Sequence, residues 1–136
     1  MKFHGKFICE ESLTPVRKTA GAAGYDFIAP ERVVIPPRGQ ISFDSQVTIA
    51  MEDGFFFLLA IRSSLGKRGV SLTNGVAIID SDYTGTMKAM LINNSDTHVI
   101  IDKGERYMQG VLIPYALIEE AEVTAERTGG LGSTGK

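Results

Sequence analysis

At 136 residues the chain has the length of one compact domain with a small tail, and a hydrophobic fraction of 43% is enough to build one core. Its 14 basic and 16 acidic residues leave a formal net charge of −2. That balance gives no support to broad nucleic-acid or membrane-surface binding, which normally shows a basic excess, but leaves room for a small anionic ligand held by a few basic groups. Cys9 is the sole cysteine, so an internal disulfide and a CxxC metal site are excluded. His4 and His98 form no HxxxH or HExxH spacing, which leaves a His/Cys zinc centre or a Ser-His-Asp triad poorly supplied.

The first stretch, MKFHGKFICEESLTP, meets acidic residues early and does not read as a signal peptide. Ile41, Phe43, Val47 and Ile49 then alternate with polar residues, broken only at Ser45, which predicts a half-buried strand. Seven apolar residues from Phe55 to Ile61 run without polar interruption and predict a strand covered on both faces. That is the longest apolar run, far too short for a bilayer. Apolar stretches at 76–79, 87–92, 99–101 and 108–113 continue the pattern, and 115–123 reads as a further strand or a short helix.

Turn signals separate these runs: PPRG at 36–39, DG at 53–54, NG at 74–75, NNSD at 93–96 and DKG at 102–104. Short strands with regular punctuation predict an all-β sandwich or barrel. No amphipathic helix longer than about two turns is visible. The last stretch, TAERTGGLGSTGK at 124–136, holds one large apolar residue, Leu131, and cannot bury enough surface to offset its own ordering entropy. The expectation is one β domain over 1–123 and a flexible arm over 124–136, in a soluble, intracellular (cytoplasmic) protein.

Five segments offer chemistry. AGAAGYDF at 20–27 is either a glycine-rich loop entering a strand or a loop that sets Asp26 near a metal or phosphate. RSSLGKRG at 62–69 comes directly after the apolar run. An arginine fork and two hydroxyls at the end of a rigid strand, Arg62, Ser63 and Ser64, suit a polyphosphate, whereas a solvated turn is the plainer alternative. Lys67 and Arg68 read as surface charges. NGVAIIDSDYTG at 74–85 puts two carboxylates beside Tyr83. Asp80, where an apolar strand meets a turn, is placed to activate water, unless Asp80 or Asp82 merely caps its own backbone. In GERYMQ at 104–109, Gln109 is either an amide donor to phosphate or a strand residue facing water, and Glu105 and Arg106 read as a surface ion pair. GGLGSTG at 129–135 is either disordered or a wrap for phosphates through backbone N–H groups.

No segment decides its chemistry alone. In order and spacing, from Ala20 to Gly135, the five resemble the motifs of the trimeric, all-β dUTPase family. The resemblance implies a β jelly roll assembled as a homotrimer, with sites at subunit interfaces and dUTP hydrolysed to dUMP and diphosphate. It implies that Asn74, Gly75 and the backbone to Ile79 hold uracil, that Tyr83 lies under the deoxyribose, and that Asp80 deprotonates the water attacking the α-phosphorus. Arg62, Ser63, Ser64 and Gln109 would bind the triphosphate, joined by Arg127, Gly132, Ser133 and Thr134 from the arm. One Mg²⁺ would be held mainly by phosphate oxygens and water, with Asp26 acting through metal-bound water or as support.

The chain departs from the family pattern in places. Leu131 stands where a ring usually stacks on uracil, and Glu126 stands where the arm arginine usually lies, with Arg127 one residue nearer the ring position. Thr84 replaces a usual basic or polar residue. These departures imply an arm that closes less tightly than the family norm, and they sustain a second reading, a weakly active, protein-binding regulatory module. The dCTP deaminases share the implied fold and an RSS segment, but need a glutamate just beyond the third motif, where 86–90 (TMKAM) has no carboxylate.

Overall fold

Glycine and proline punctuation cuts the chain into short extended runs, and the computed structural model, which describes residues 2–129, pairs those runs into antiparallel β structure. The strands are β1 (Gly5–Ile8), β2 (Tyr25–Ile28), β3 (Val33–Ile35), β4 (Gln40–Asp44), β5 (Thr48–Met51), β6 (Phe55–Ile61), β7 (Val70–Leu72), β8 (Ala77–Ile79), β9 (Lys88–Asn93), β10 (Val99–Ile101) and β11 (Arg106–Pro114). A single helical turn, α1 (Ser63–Gly66), and a 3-10 turn at Glu11–Leu13 are the helical segments among the described residues. None is long and apolar enough to cross a membrane. The largest sheet has the order β2-β11-β6-β8, a second runs β4-β9-β7, and β1-β5 and β3-β10 form two ribbons. The architecture is an all-β, jelly-roll-like fold.

The break in alternation at Ser45 is where the extended run splits into β4 and β5. Gln46 takes a left-handed backbone (φ 61°), its N–H bonded to Asp44 Oδ1 at 2.8 Å, and the buried Ser45 hydroxyl accepts the Val47 N–H at 3.1 Å. Residues on the two sides of this corner, Phe43, Val47 and Ile49, therefore keep facing one core with Phe27, Ile35, Phe57, Leu59, Leu91 and Met108. β6 is paired on both edges, to β8 and β11, as its unbroken apolar run suggests. Its faces are unequal, however. Phe57 and Leu59 are fully buried, whereas Phe56 and Leu58 on the opposite face are half-buried.

The expectation for 115–123 fails. β11 ends at Pro114, and no helix or strand comes after it among the described residues. Tyr115 is tied by its N–H to Gly54 O at 3.1 Å, but Leu117, Ile118 and Val123 are exposed. With no surface among the described residues to cover them, these apolar residues offer nothing to offset the entropy of ordering a strand or helix.

An irregularity in β11 shapes one end of the largest sheet. The register of β11 with β2 shifts between Arg106 and Met108, a bulge that leaves Tyr107 and Met108 buried in succession. The Tyr107 ring packs edge-on to Phe43 at 5.1 Å between centroids, and burial, with Asp44 nearby, pushes its hydroxyl above the usual tyrosine range. Further along, Gly110 lies opposite Leu59 of β6 and Tyr25 of β2, under the Phe57 ring. A Cβ there would stand 2.2 Å from Phe57 Cε2. Gly110→Ala must displace a fully buried ring, so the unfolding free energy is expected to fall by about 1–3 kcal/mol. The measurement is the urea midpoint at unchanged slope, and an unaltered midpoint would show the ring free to yield.

Candidate active site

The candidate residues fall into two groups, at the two ends of β6. At its C-terminal end, β2, β6 and β11 lie side by side, with Gln109 paired to Asp26 on one flank and to Ala60 on the other. Arg62 continues β6, its N–H bonded to Tyr107 O at 3.1 Å. Its side chain turns to Asp26, Nε to Oδ1 at 3.4 Å, and donates from Nη1 to Arg106 O at 3.2 Å. Arg106 reaches the other oxygen of Asp26 at 3.8 Å. The Asp26 side chain is only 12% exposed, and an isolated Val16–Asp26 bridge pins its backbone on the other side. Gly24 leaves room for the Gln109 amide, since a Cβ there would come 2.9 Å from Oε1. The segment after Arg62 is the helical turn α1, anchored by the buried Leu65, with Ser63 and Ser64 exposed on its outside.

Asp26 is thus the anion between two arginines. The surface ion pair expected between Glu105 and Arg106 is not formed. Neighbours on a strand face opposite ways. Glu105, just before β11, pairs with Arg68 at 3.2 Å, while Arg106 turns to Asp26. Nothing local in the sequence marks Arg106 as a partner of Asp26, because the contact joins strands far apart in the chain.

The second group gathers at the other end of β6. β8 pairs with β6 antiparallel, Ile79 opposite Phe57, so Asp80 emerges beside the start of β6. Ser81 Oγ donates to Asp53 Oδ1 at 3.3 Å, which fixes the turn there. Tyr83 N–H bonds Asp80 O at 3.1 Å, so the turn is closed by backbone and both carboxylates stay free to face outward. Their side chains are 55% and 62% exposed for Asp80 and Asp82. Tyr83 is half-buried and donates its hydroxyl to Thr86 O at 2.7 Å. Asn74 and Gly75 form the exposed turn before β8, with Gly75 at φ 77°. β8 is an edge strand, so between that turn and Asp80 its outer edge offers backbone donors and acceptors that its own sheet does not use.

Arg127 joins this second group. Its guanidinium binds Asp80 through Nη2 and Asp82 through Nε (2.7 Å), and stands 5.7 Å from the centre of the Tyr83 ring. The hydrogen bond to Asp82, then the charges of both aspartates, hold its pKa above the usual arginine value. Leu131, Gly132, Ser133 and Thr134 lie outside the described residues.

The two groups do not meet within the chain. Arg62 is five residues along β6 from Phe57, and at ~3.3 Å per residue this separates them by roughly 16 Å. A concavity of about 350 Å³, lined by Lys2, His4, Phe7, Tyr25 and Leu112 among others, contains none of the candidate residues. One end of β6 therefore offers arginine, hydroxyl and amide donors for an anion. The other offers an unused backbone edge, a ring and two exposed carboxylates.

The dUTPase family model matches residues 10–135. A deoxyuridine 5'-triphosphate nucleotidohydrolase of Paramecium bursaria Chlorella virus 1 is 40% identical, over 96% of this chain and 95% of its own. One from Hydrogenobaculum sp. is 38% identical, with 99% of each chain covered. The crystal structure of dUTPase from Streptococcus mutans matches with a TM-score of 0.79 at 35% identity, covering 85% of this chain and 99% of that one. A dUTPase from phage phi11 of S. aureus, described with a structural Mg(II) ion, shares the fold at a TM-score of 0.76 and 20% identity, over 91% of this chain and 99% of that one.

The ion pairs of Asp26 yield a prediction. Asp26→Asn keeps the shape but leaves Arg62 and Arg106 facing each other without a counter-charge. Stability should fall by about 1–3 kcal/mol, between the limits for exposed and buried pairs, and part of the loss should return in high salt. An unfolding midpoint equal to that of the parent would mean that Asp26 holds neither arginine.

Proposed function

Because the chain belongs to the dUTPase family, and so is a dUTP diphosphatase, we propose how its residues divide the hydrolysis of dUTP to dUMP and diphosphate. Asp80 is the general base. It takes a proton from the water whose oxygen bonds to the α-phosphorus, while the bond from that phosphorus to the bridging oxygen breaks and diphosphate departs. The Arg127 guanidinium occupies an Asp80 oxygen that would face the water, so in this scheme Arg127 leaves Asp80 before the water is activated. The γ-phosphate is the anion that draws it away. The outer backbone edge from Asn74 and Gly75 to Ile79 reads uracil, and Tyr83 packs against the deoxyribose. Arg62, Ser63, Ser64 and Gln109 bind the triphosphate, with Asp26 holding Arg62 in place. Leu131 covers the base, and Gly132, Ser133 and Thr134 contact phosphate as the arm (124–136) closes.

Mg²⁺ fits this chain as an ion held mainly by substrate oxygens and water. The described residues hold no group of three His, Cys, Asp or Glu able to cage a metal, and Asp26, engaged by two arginines, is suited only to an indirect role. When bound, the ion neutralises charge on the phosphates. The proposal includes a soluble, cytoplasmic enzyme.

The observation that carries the proposal is the separation along β6. Arg62 and Asp80 lie at opposite ends of β6 in one chain, so in this scheme a site combines Asp80 of one subunit with Arg62 of another. That supports a homotrimer with shared sites. The test is complementation. Asp80→Asn should lower kcat by ~10²–10⁴-fold with dUTP still bound, and Arg62→Ala should also be nearly inactive. Mixed and reassembled, the two should regain up to about a quarter of parental activity, because random hybrids rebuild that share of intact sites, in a species sedimenting at the mass of three chains. Failure of the mixture to regain activity, or a fully active monomer, would refute sharing. Asp80→Asn keeping more than about a third of the activity would move the base elsewhere, to Asp82 first.

The arm gives a separate expectation. Stacking an aromatic ring on a base is worth about 1–3 kcal/mol, and leucine lacks the flat surface. Leu131→Phe should raise kcat/KM for dUTP roughly 2- to 12-fold if about half of that is recovered. A variant indistinguishable from the parent would mean that position 131 does not meet the base.

A further inference from the structure

Gly85 ends the segment that carries Asp80 and Tyr83, yet its φ lies outside the left-handed region, so the backbone does not demand glycine there. Space does. A Cβ on Gly85 would stand 2.6 Å from Tyr83 Oη, 2.9 Å from Cζ and 3.3 Å from Cε1. The first two distances are shorter than real Cβ contacts, and the third is at the tight limit. The same hydroxyl donates to Thr86 O at 2.7 Å. The tip of the ring is therefore seated by two neighbours, a carbonyl that holds it and a missing methyl that admits it. Both belong to the residues just after Tyr83, so the seat travels with the ring however the rest of the loop moves.

We propose that Gly85 and the Thr86 carbonyl are positioning residues that fix the Tyr83 ring as the wall distinguishing deoxyribose from ribose. The proposal rests on the packing of Tyr83 against the sugar proposed for the hydrolysis. A wall of this kind selects only if its place is fixed to a fraction of an ångström, because the excluded group is a single hydroxyl. A tyrosine on an exposed turn would otherwise swing about χ1 and χ2 and admit it. The seat removes that freedom. Displacing the ring in either direction erodes selection: moved away, it makes room for the 2′-hydroxyl; moved inward, it obstructs dUTP, while UTP was already obstructed.

The atoms nearest a methyl at position 85 all belong to the far end of the Tyr83 side chain, so Gly85→Ala moves the ring at little cost to the fold. The experiment measures kcat and KM for dUTP and UTP in the parent, Gly85→Ala, Tyr83→Phe, the double variant Gly85→Ala/Tyr83→Phe and Tyr83→Ala, with thermal melting of each. Gly85→Ala should lower the dUTP:UTP ratio of kcat/KM roughly 5- to 30-fold, with the melting temperature close to that of the parent. Tyr83→Phe removes the bond to Thr86 without adding volume, and should lower the ratio roughly 2- to 10-fold. In the double variant the closest contact is gone, so part of the ratio lost in Gly85→Ala should return. A merely disordered loop would show no such rescue.

The outcomes separate the two readings. Parental selectivity in Gly85→Ala, with selectivity lost in Tyr83→Ala, overturns the seat and leaves Tyr83 as the wall. Parental selectivity in Tyr83→Ala removes Tyr83 from the sugar and the seat with it. Should Gly85→Ala fail to fold, Tyr83→Phe decides alone, and an unchanged ratio there overturns the proposal.

Discussion

β11 is hydrogen-bonded along both edges, to β2 and to β6, and this double pairing is the constraint on which the Asp26–Arg62 end of the molecule depends. It sets Gln109 beside Asp26 and carries Tyr107 to the Arg62 backbone. The bulge at Tyr107 then turns Arg106 to the side where Asp26 lies. A slip of one residue would send every one of these side chains to the other face. What holds the register is packing: Tyr107 and Met108 are fully buried, and Gly110 alone fits beneath the Phe57 ring.

The same sheet separates as firmly as it gathers. β6 is rigid, paired on both edges and filled by Phe57 and Leu59, so Arg62 and Asp80 are kept at its two ends. No loop movement within one chain closes a gap of that kind without breaking the pairing of β8 with β6. The proposed shared site answers that separation, because a rotated second chain can bring its opposite end to the first.

Charge dominates the Asp80 end. Two solvated carboxylates close together repel, and Arg127 relieves that repulsion while it stands over the Tyr83 ring. Both aspartates are exposed, so solvent screens these ion pairs and keeps them weak. The ring beneath has little latitude, since the Thr86 carbonyl and the bare Gly85 confine its tip.

Much of this was legible in the sequence. Alternation around Ile41 and Ile49, the unbroken run of β6 and the regular turns declare an all-β fold, because strand periodicity and turn chemistry are local properties. The five segments declare the family, because their residue types and order are read directly. Contacts between distant segments were not legible. The Asp26–Arg106 pair, the union of Arg127 with Asp80 and Asp82, and the fit of Gly110 under Phe57 depend on which strands lie side by side. Nor could periodicity foresee that 115–123 would stay irregular, since an apolar residue becomes ordered only when a surface exists to cover it. The sequence by itself determined the elements and the chemistry each carries. Only the tertiary structure decided which chemistries share an end of β6, because burial and strand register act between residues that the chain order keeps apart.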